Sequence, residues 1–150
     1  MKNQIFKYTL LAFLMISCSP SGKYIDTYTF PEGKWERFTN PFLRFQVENP
    51  GIYYDMFLEL NFDPSQKPED FNMTVIMTTP GGEVRSRDLE TNFGSAEVNE
   101  DNAVIRLLIR REYAFSEKGE CTFEIENRAS RMSFPGMNNL RIIIEKSQEL

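Results

Sequence analysis

The sequence predicts an all-β fold, an antiparallel β-sandwich, behind an N-terminal lipoprotein signal peptide. Three observations carry that prediction. After the first segment, nearly every apolar stretch alternates with period two, which puts successive side chains on opposite faces of a strand. Turn-forming residues such as Asn49-Pro50-Gly51, Pro80-Gly81-Gly82 and Asn138-Asn139 separate those stretches. No amphipathic segment reaches helix length, and no internal repeat or low-complexity run interrupts the pattern. About seven to nine short strands fit a two-sheet sandwich, with jelly-roll topology as one arrangement.

The N-terminus is of another kind. Lys2 and Lys7 precede an apolar run from Tyr8 to Ile16, broken only by Thr9 and followed by Ser17 and Cys18. About nine apolar residues are too few for a hydrocarbon core that needs roughly 20, but they suit the central region of a secretory signal. A small residue directly before cysteine resembles a bacterial lipobox, with Met15 in place of the usual leucine three residues earlier. The expected organisation is a signal peptide over residues 1–17, an anchor and polar tether over 18–23, and the sandwich over 24–150. Cys18 is then the lipidated residue, carrying palmitate-type acyl chains that hold the mature protein to a membrane. Cleavage there removes two lysines and moves the formal net charge from -5 to -7.

Along the mature chain, Tyr24 to Phe30 is a first short strand closed by Pro31 and Gly33, and Trp35 with Phe38 begins a second apolar cluster. Phe42 to Glu48 turns Leu43, Phe45 and Val47 inward. Tyr54 to Phe62 is the clearest strand, with Tyr54, Met56, Leu58, Leu60 and Phe62 on one face and Asp55, Glu59 and Asn61 on the other, joined by Phe57. Phe71 to Thr79 and Glu83 to Leu89 flank Pro80-Gly81-Gly82, the strongest hairpin signal present. Thr91 to Asn102 is polar and acidic and reads as a long loop.

Ala103 to Ile109 is the next strand, which Tyr113 and Phe115 either continue or turn away from. Cys121 to Asn127 alternates again, and Cys121 in line with Phe123 and Ile125 reads as a small buried apolar residue. Arg128 to Pro135 has no clear pattern, although Met132 and Phe134 suit packing. Leu140 to Glu145 closes the chain, with Ile142, Ile143 and Ile144 suited to burial on both sides.

Composition narrows the function. The 150-residue chain has no histidine, so it lacks the commonest general base near neutral pH and the usual zinc motifs. Its acidic balance argues against a nucleic-acid partner. Asp55 with Glu59 and Glu124 with Glu126 could form a hydrolase carboxylate pair, but alternation produces such solvated pairs without chemistry. Glu97, Glu100 and Asp101 could supply oxygen ligands to calcium, yet lack the spacing and turn glycine of an EF-hand loop. Arg106, Arg110 and Arg111, with Arg128 and Arg131, could meet head groups or an acidic partner, or form ion pairs across a sheet surface. No catalytic residue, metal, cofactor or small-molecule ligand is expected.

Trp35, Tyr53 and Phe57 are aromatic residues that the alternation does not require inside one core. They serve either as partner contacts, since Trp and Tyr are favoured at interface anchors, or as an edge, cap or second core face. The same rings could stack on sugars, which keeps a carbohydrate-binding or glycan-uptake accessory role as the alternative.

The lipobox and Cys18, Trp35 after an early aromatic strand, the tyrosine-led Tyr54 to Phe62 segment and Pro80-Gly81-Gly82 together follow a known order. So do Phe115, Gly119, Phe123 and Ile125, then Gly136 and the closing Leu140-Arg141-Ile142-Ile143-Ile144-Glu145-Lys146. In this order the chain resembles a divergent member of the gliding-motility lipoprotein GldH family of the Bacteroidota. The resemblance implies a lipid-anchored component of the gliding and type IX secretion envelope machinery, with no established enzymatic activity. Two departures stand out. Asn92 to Asn102 has one glycine and no tryptophan where the family has a segment rich in both, and no acidic cluster resembling a surface-export signal follows Cys18. The second departure implies an outer-membrane lipoprotein facing the periplasm.

Overall fold

In the computed structural model, which describes residues 22–66 and 68–148, two antiparallel sheets pack face to face. The signal segment and Cys18 lie outside the described residues. One sheet joins β1 (Lys23–Thr29), β11 (Met137–Lys146), β4 (Tyr53–Phe62), β8 (Ala103–Ala114) and β7 (Glu97–Val98), in that order. The other joins β3 (Phe42–Val47), β9 (Gly119–Asn127), β5 (Asn72–Thr78) and β6 (Val84–Glu90). A short ribbon pairs β2 (Lys34–Glu36) with β10 (Ser133–Pro135).

The pairing has a simple logic. The chain doubles back at Pro80-Gly81-Gly82, and successive strands pair outward from there: β5 with β6, β4 with β8, β3 with β9, β2 with β10, β1 with β11. This long ribbon then rolls up into the jelly-roll order. The hairpin is closed by the Thr79 N–H donating to the Glu83 carbonyl at 2.9 Å, and Gly82 supplies the positive φ of 83° that the turn requires.

The predicted inward faces are the buried ones. Leu43, Phe45 and Val47 of β3 meet Tyr54, Met56, Leu58 and Leu60 of β4 and Met73, Val75 and Met77 of β5 in one core. Aromatic side chains plug both ends. At one end, Trp35 stacks on Phe30 with centroids 4.9 Å apart and meets Phe71 edge-on at 5.6 Å. At the other, Phe115 lies within 6.1 Å of Phe45, Tyr54 and Tyr113. Ile143 is buried on the opposite face of β11, in register with Ile25, Phe57 and Leu108 across four strands.

Two expectations are corrected, and one open alternative is decided. The segment from Thr91 to Asn102 is not all loop: a 3-10 turn at Phe93–Ser95 and the two-residue β7 lie in it, and β7 pairs with β8. Glu59 and Asn61 are on the predicted face but are buried there, Glu59 under Arg141 at 2.7 Å and Asn61 against Asn102 at 3.0 Å. Tyr113 continues β8, through two register shifts opposite Tyr54, Met56 and Phe57. These bulges let a long strand coil around the core.

Candidate protein-contact site

The three aromatic contact candidates separate by burial. Trp35 is 0% exposed, and its indole N–H donates to the Thr39 carbonyl at 2.9 Å. It is therefore a core residue and not a surface contact. Its polar handle is satisfied inside the turn that follows β2, so nothing of it is left for a partner. Phe57 is half-buried on the outer face of β4, where it lies in register beside Ile143 and carries the Arg106 guanidinium 4.0 Å from its ring centroid. Tyr53 is 59% exposed. It stands where the chain enters the sandwich, since Ser147 N–H donates to its carbonyl and Lys23 lies opposite Glu145.

The opposite end exposes more apolar surface than the sequence suggested. Phe38 follows β2 and is 78% exposed; Phe42 opens β3 and is 48% exposed, and Met132 precedes β10 and is 58% exposed. The Arg37 N–H donates to the Met132 carbonyl at 2.9 Å, which brings the two turns together. Arginine rims these side chains: Arg37 lies 5.5 Å from the Phe38 centroid, and Arg44 lies 5.5 Å from that of Phe42. Asn40 donates to Glu124 at 2.9 Å beside Phe42. A cavity of about 320 Å³ opens at this same end, walled by Phe62, Pro64, Pro68, Phe93, Ala96 and Val98. Exposed aromatics with cationic edges are the ingredients of an anchor-type protein contact. The available sequence signal was the placement of Phe38 beyond the end of the alternation, next to Arg37.

The carboxylates considered for chemistry are occupied. Asp55 accepts from the Glu112 N–H at 2.9 Å and the Ser147 hydroxyl at 2.8 Å, and these bonds hold its carboxyl below the ordinary range. Glu59 pairs with Arg141, Glu124 accepts from Asn40, and Glu126 pairs with Arg128. Cys121 is buried, and desolvation pushes its thiol up to about 12. Among the described residues, no three His, Cys, Asp or Glu side chains gather to hold a metal ion. No described helix is long and apolar enough to cross a membrane.

The arginines singled out in the sequence do not form one patch. Arg106 pairs with Glu145 at 2.7 Å on one sheet, Arg128 with Glu126 on the other, and Arg131 lies 5.8 Å from the Phe134 ring. Compared with known proteins, the chain matches no family model and no curated sequence.

Proposed function

We propose that this chain is a non-enzymatic, outer-membrane-anchored lipoprotein, held by acylated Cys18 and facing the periplasm. In this reading its jelly-roll domain contributes protein contacts to gliding-motality or type IX secretion machinery, as a divergent relative of the GldH lipoproteins. The observation that carries the reading is the arginine-rimmed set of Phe38, Phe42 and Met132, at the end of the sandwich away from Lys23. A domain tethered through its N-terminus presents that end away from the lipid, where an envelope protein can reach it. The occupied carboxylates and the high thiol of Cys121 support a binding role over a catalytic one.

Affinity capture from detergent-solubilised envelopes tests the proposal. The wild-type chain should recover a defined motility or secretion complex, and Phe38→Ser with Met132→Ser should lose it. Recovery unchanged by those substitutions would move the contact elsewhere.

A glycan accessory role is the second reading, and one feature favours it. A groove of about 520 Å³ on the outer face of β5 and β6 is lined by Asn72, Thr74, Asp88, Glu90 and Arg128, groups that can bond sugar hydroxyls. Selective binding on a glycan array, lost in Asp88→Ala and without a stable protein partner, would replace the first reading with this one.

A further inference from the structure

The sandwich is closed along one side and open along the other. On the closed side, Asp26 accepts the Arg44 main-chain N–H at 2.8 Å and Tyr24 packs on Phe45 at 5.1 Å, tying β1 to β3. On the open side, β6 and the upper part of β8 face each other as edges unpaired among the described residues, because β7 covers only Ala103 and Val104 of β8.

The register fixes which groups of β6 are free. Thr79 N–H donates to Glu83, and Thr91 N–H donates to Phe71, so the odd-numbered residues of β6 direct their main-chain groups to β5. The N–H and C=O groups of Val84, Ser86 and Asp88 therefore point away from the sheet. None of them has a main-chain partner among the described residues.

The side chains along this edge are unusual. Leu89 of β6 is buried on the core-facing side, and Arg85 and Arg87 share its face, opposite Met77 and Val75. On β8, the register shift after Leu108 admits an extra residue and sets Arg110 opposite the core residue Met56. The bulge thus re-aims Arg110 toward the same seam. The Tyr113 ring lies between Arg85 at 5.6 Å and Arg110 at 5.3 Å. A small cavity of about 30 Å³ is walled by Val75, Met77 and Ile109 and rimmed by Arg85, Arg87 and Arg110.

Of the three guanidinium groups here, Arg85 alone meets a carboxylate among the described residues, Glu83 at 2.6 Å. Arg87 and Arg110 have no carboxylate within ion-pair distance among the described residues, and the Arg85 Nε is buried without a hydrogen-bond partner. On a chain of formal net charge -5, this is a local excess of positive charge at an unpaired strand edge.

We propose that β6 accepts an extended acidic segment of a partner polypeptide as an added strand. Its main chain would bond to Val84, Ser86 and Asp88, and carboxylates at alternate positions would face Arg85, Arg87 and Arg110. Alternation follows from strand geometry, because every second side chain of the added strand points to the seam. The cavity has room for about one carboxylate, and a planar guanidinium binds a carboxylate through two parallel bonds. Inward-facing arginines also reject apolar or basic strands, so the edge is protected and selective by the same device. This site is separate from the Phe38 end and stands whichever function that end serves.

The test is an NMR titration of the isotope-labelled full chain with the acetylated, amidated peptide Thr-Glu-Thr-Glu-Thr-Glu-Thr, its lysine counterpart, and acetate. The acidic peptide should shift the Val84, Ser86 and Asp88 amides and slow their exchange at least about tenfold, while the lysine peptide does neither. Arg87→Glu combined with Arg110→Glu should weaken binding at least about tenfold. Ser86→Pro should abolish it without unfolding the chain, since an edge proline is tolerated where its N–H faces away from the sheet. Equal effects of both peptides, shifts confined to the guanidinium groups as acetate gives, or no shift at all would overturn the proposal.

Discussion

Asp55 accepts a hydrogen bond from the main-chain N–H of Glu112 at 2.9 Å, across the point where β8 departs from regular pairing with β4. Glu112 has a φ of 50°, a left-handed conformation that a glutamate adopts at a cost of about 1–2 kcal/mol. The Asp55 carboxylate offsets that cost and also accepts the Ser147 hydroxyl at 2.8 Å, so one side chain ties β4, the β8 bulge and the end of β11 together. The bulge in turn sets the aim of Arg110 and the position of Tyr113 at the open seam.

Asp55→Ala should therefore destabilise the fold by about 1–2 kcal/mol, measured by urea denaturation. Its pH dependence has a definite sign. The Glu112 N–H bond, then Ser147, holds the folded carboxyl below its ordinary value. The stabilisation is complete above the unfolded value of about 3.9 and is lost as pH falls through the lower folded value. Asp55→Asn should flatten that acid limb.

Cys121 should behave as a buried apolar group. Its thiol should resist alkylation at pH 8 in the native state and react promptly in urea, read by mass spectrometry. Desolvation raises the folded value from 9.0 to about 12, so the unfolded chain releases this proton first. The contribution of the group to stability is thus present below pH 9 and declines as pH rises toward 12.

Trp35 and Phe38, three residues apart, should respond oppositely to truncation. Trp35→Ala removes a fully buried ring stacked on Phe30 and should cost about 3–5 kcal/mol. Phe38→Ala removes an exposed ring and should change stability by less than about 0.5 kcal/mol while weakening partner capture. Native fluorescence should report the same contrast, because Trp35 is the only tryptophan and acrylamide should not quench it.

The strands were legible because period two fixes which face a residue occupies, and Tyr54 to Phe62 shows it clearly. Strand order was not, because alternation says nothing about which strand lies alongside; the first-with-last pairing of β1 and β11 is set by rolling the whole ribbon. Trp35 is open to both readings in the sequence because an interface tryptophan and a core tryptophan have the same chemistry, and only the Thr39 carbonyl decides where the indole N–H is satisfied. Arg110 reads as an outward residue until the bulge beside it is known, since one inserted residue reverses the face of the next residues, and the second shift restores the alternation at Tyr113.

Photo-crosslinking in cells tests the central claim most directly. A benzophenone amino acid placed at position 38, and separately at exposed Thr27 on β1, would be irradiated and its adducts identified by mass spectrometry. The account predicts adducts from position 38, and not from position 27, to a component of the gliding or type IX secretion machinery. Absence of a protein adduct at 38, or the same adducts from both positions, would contradict it.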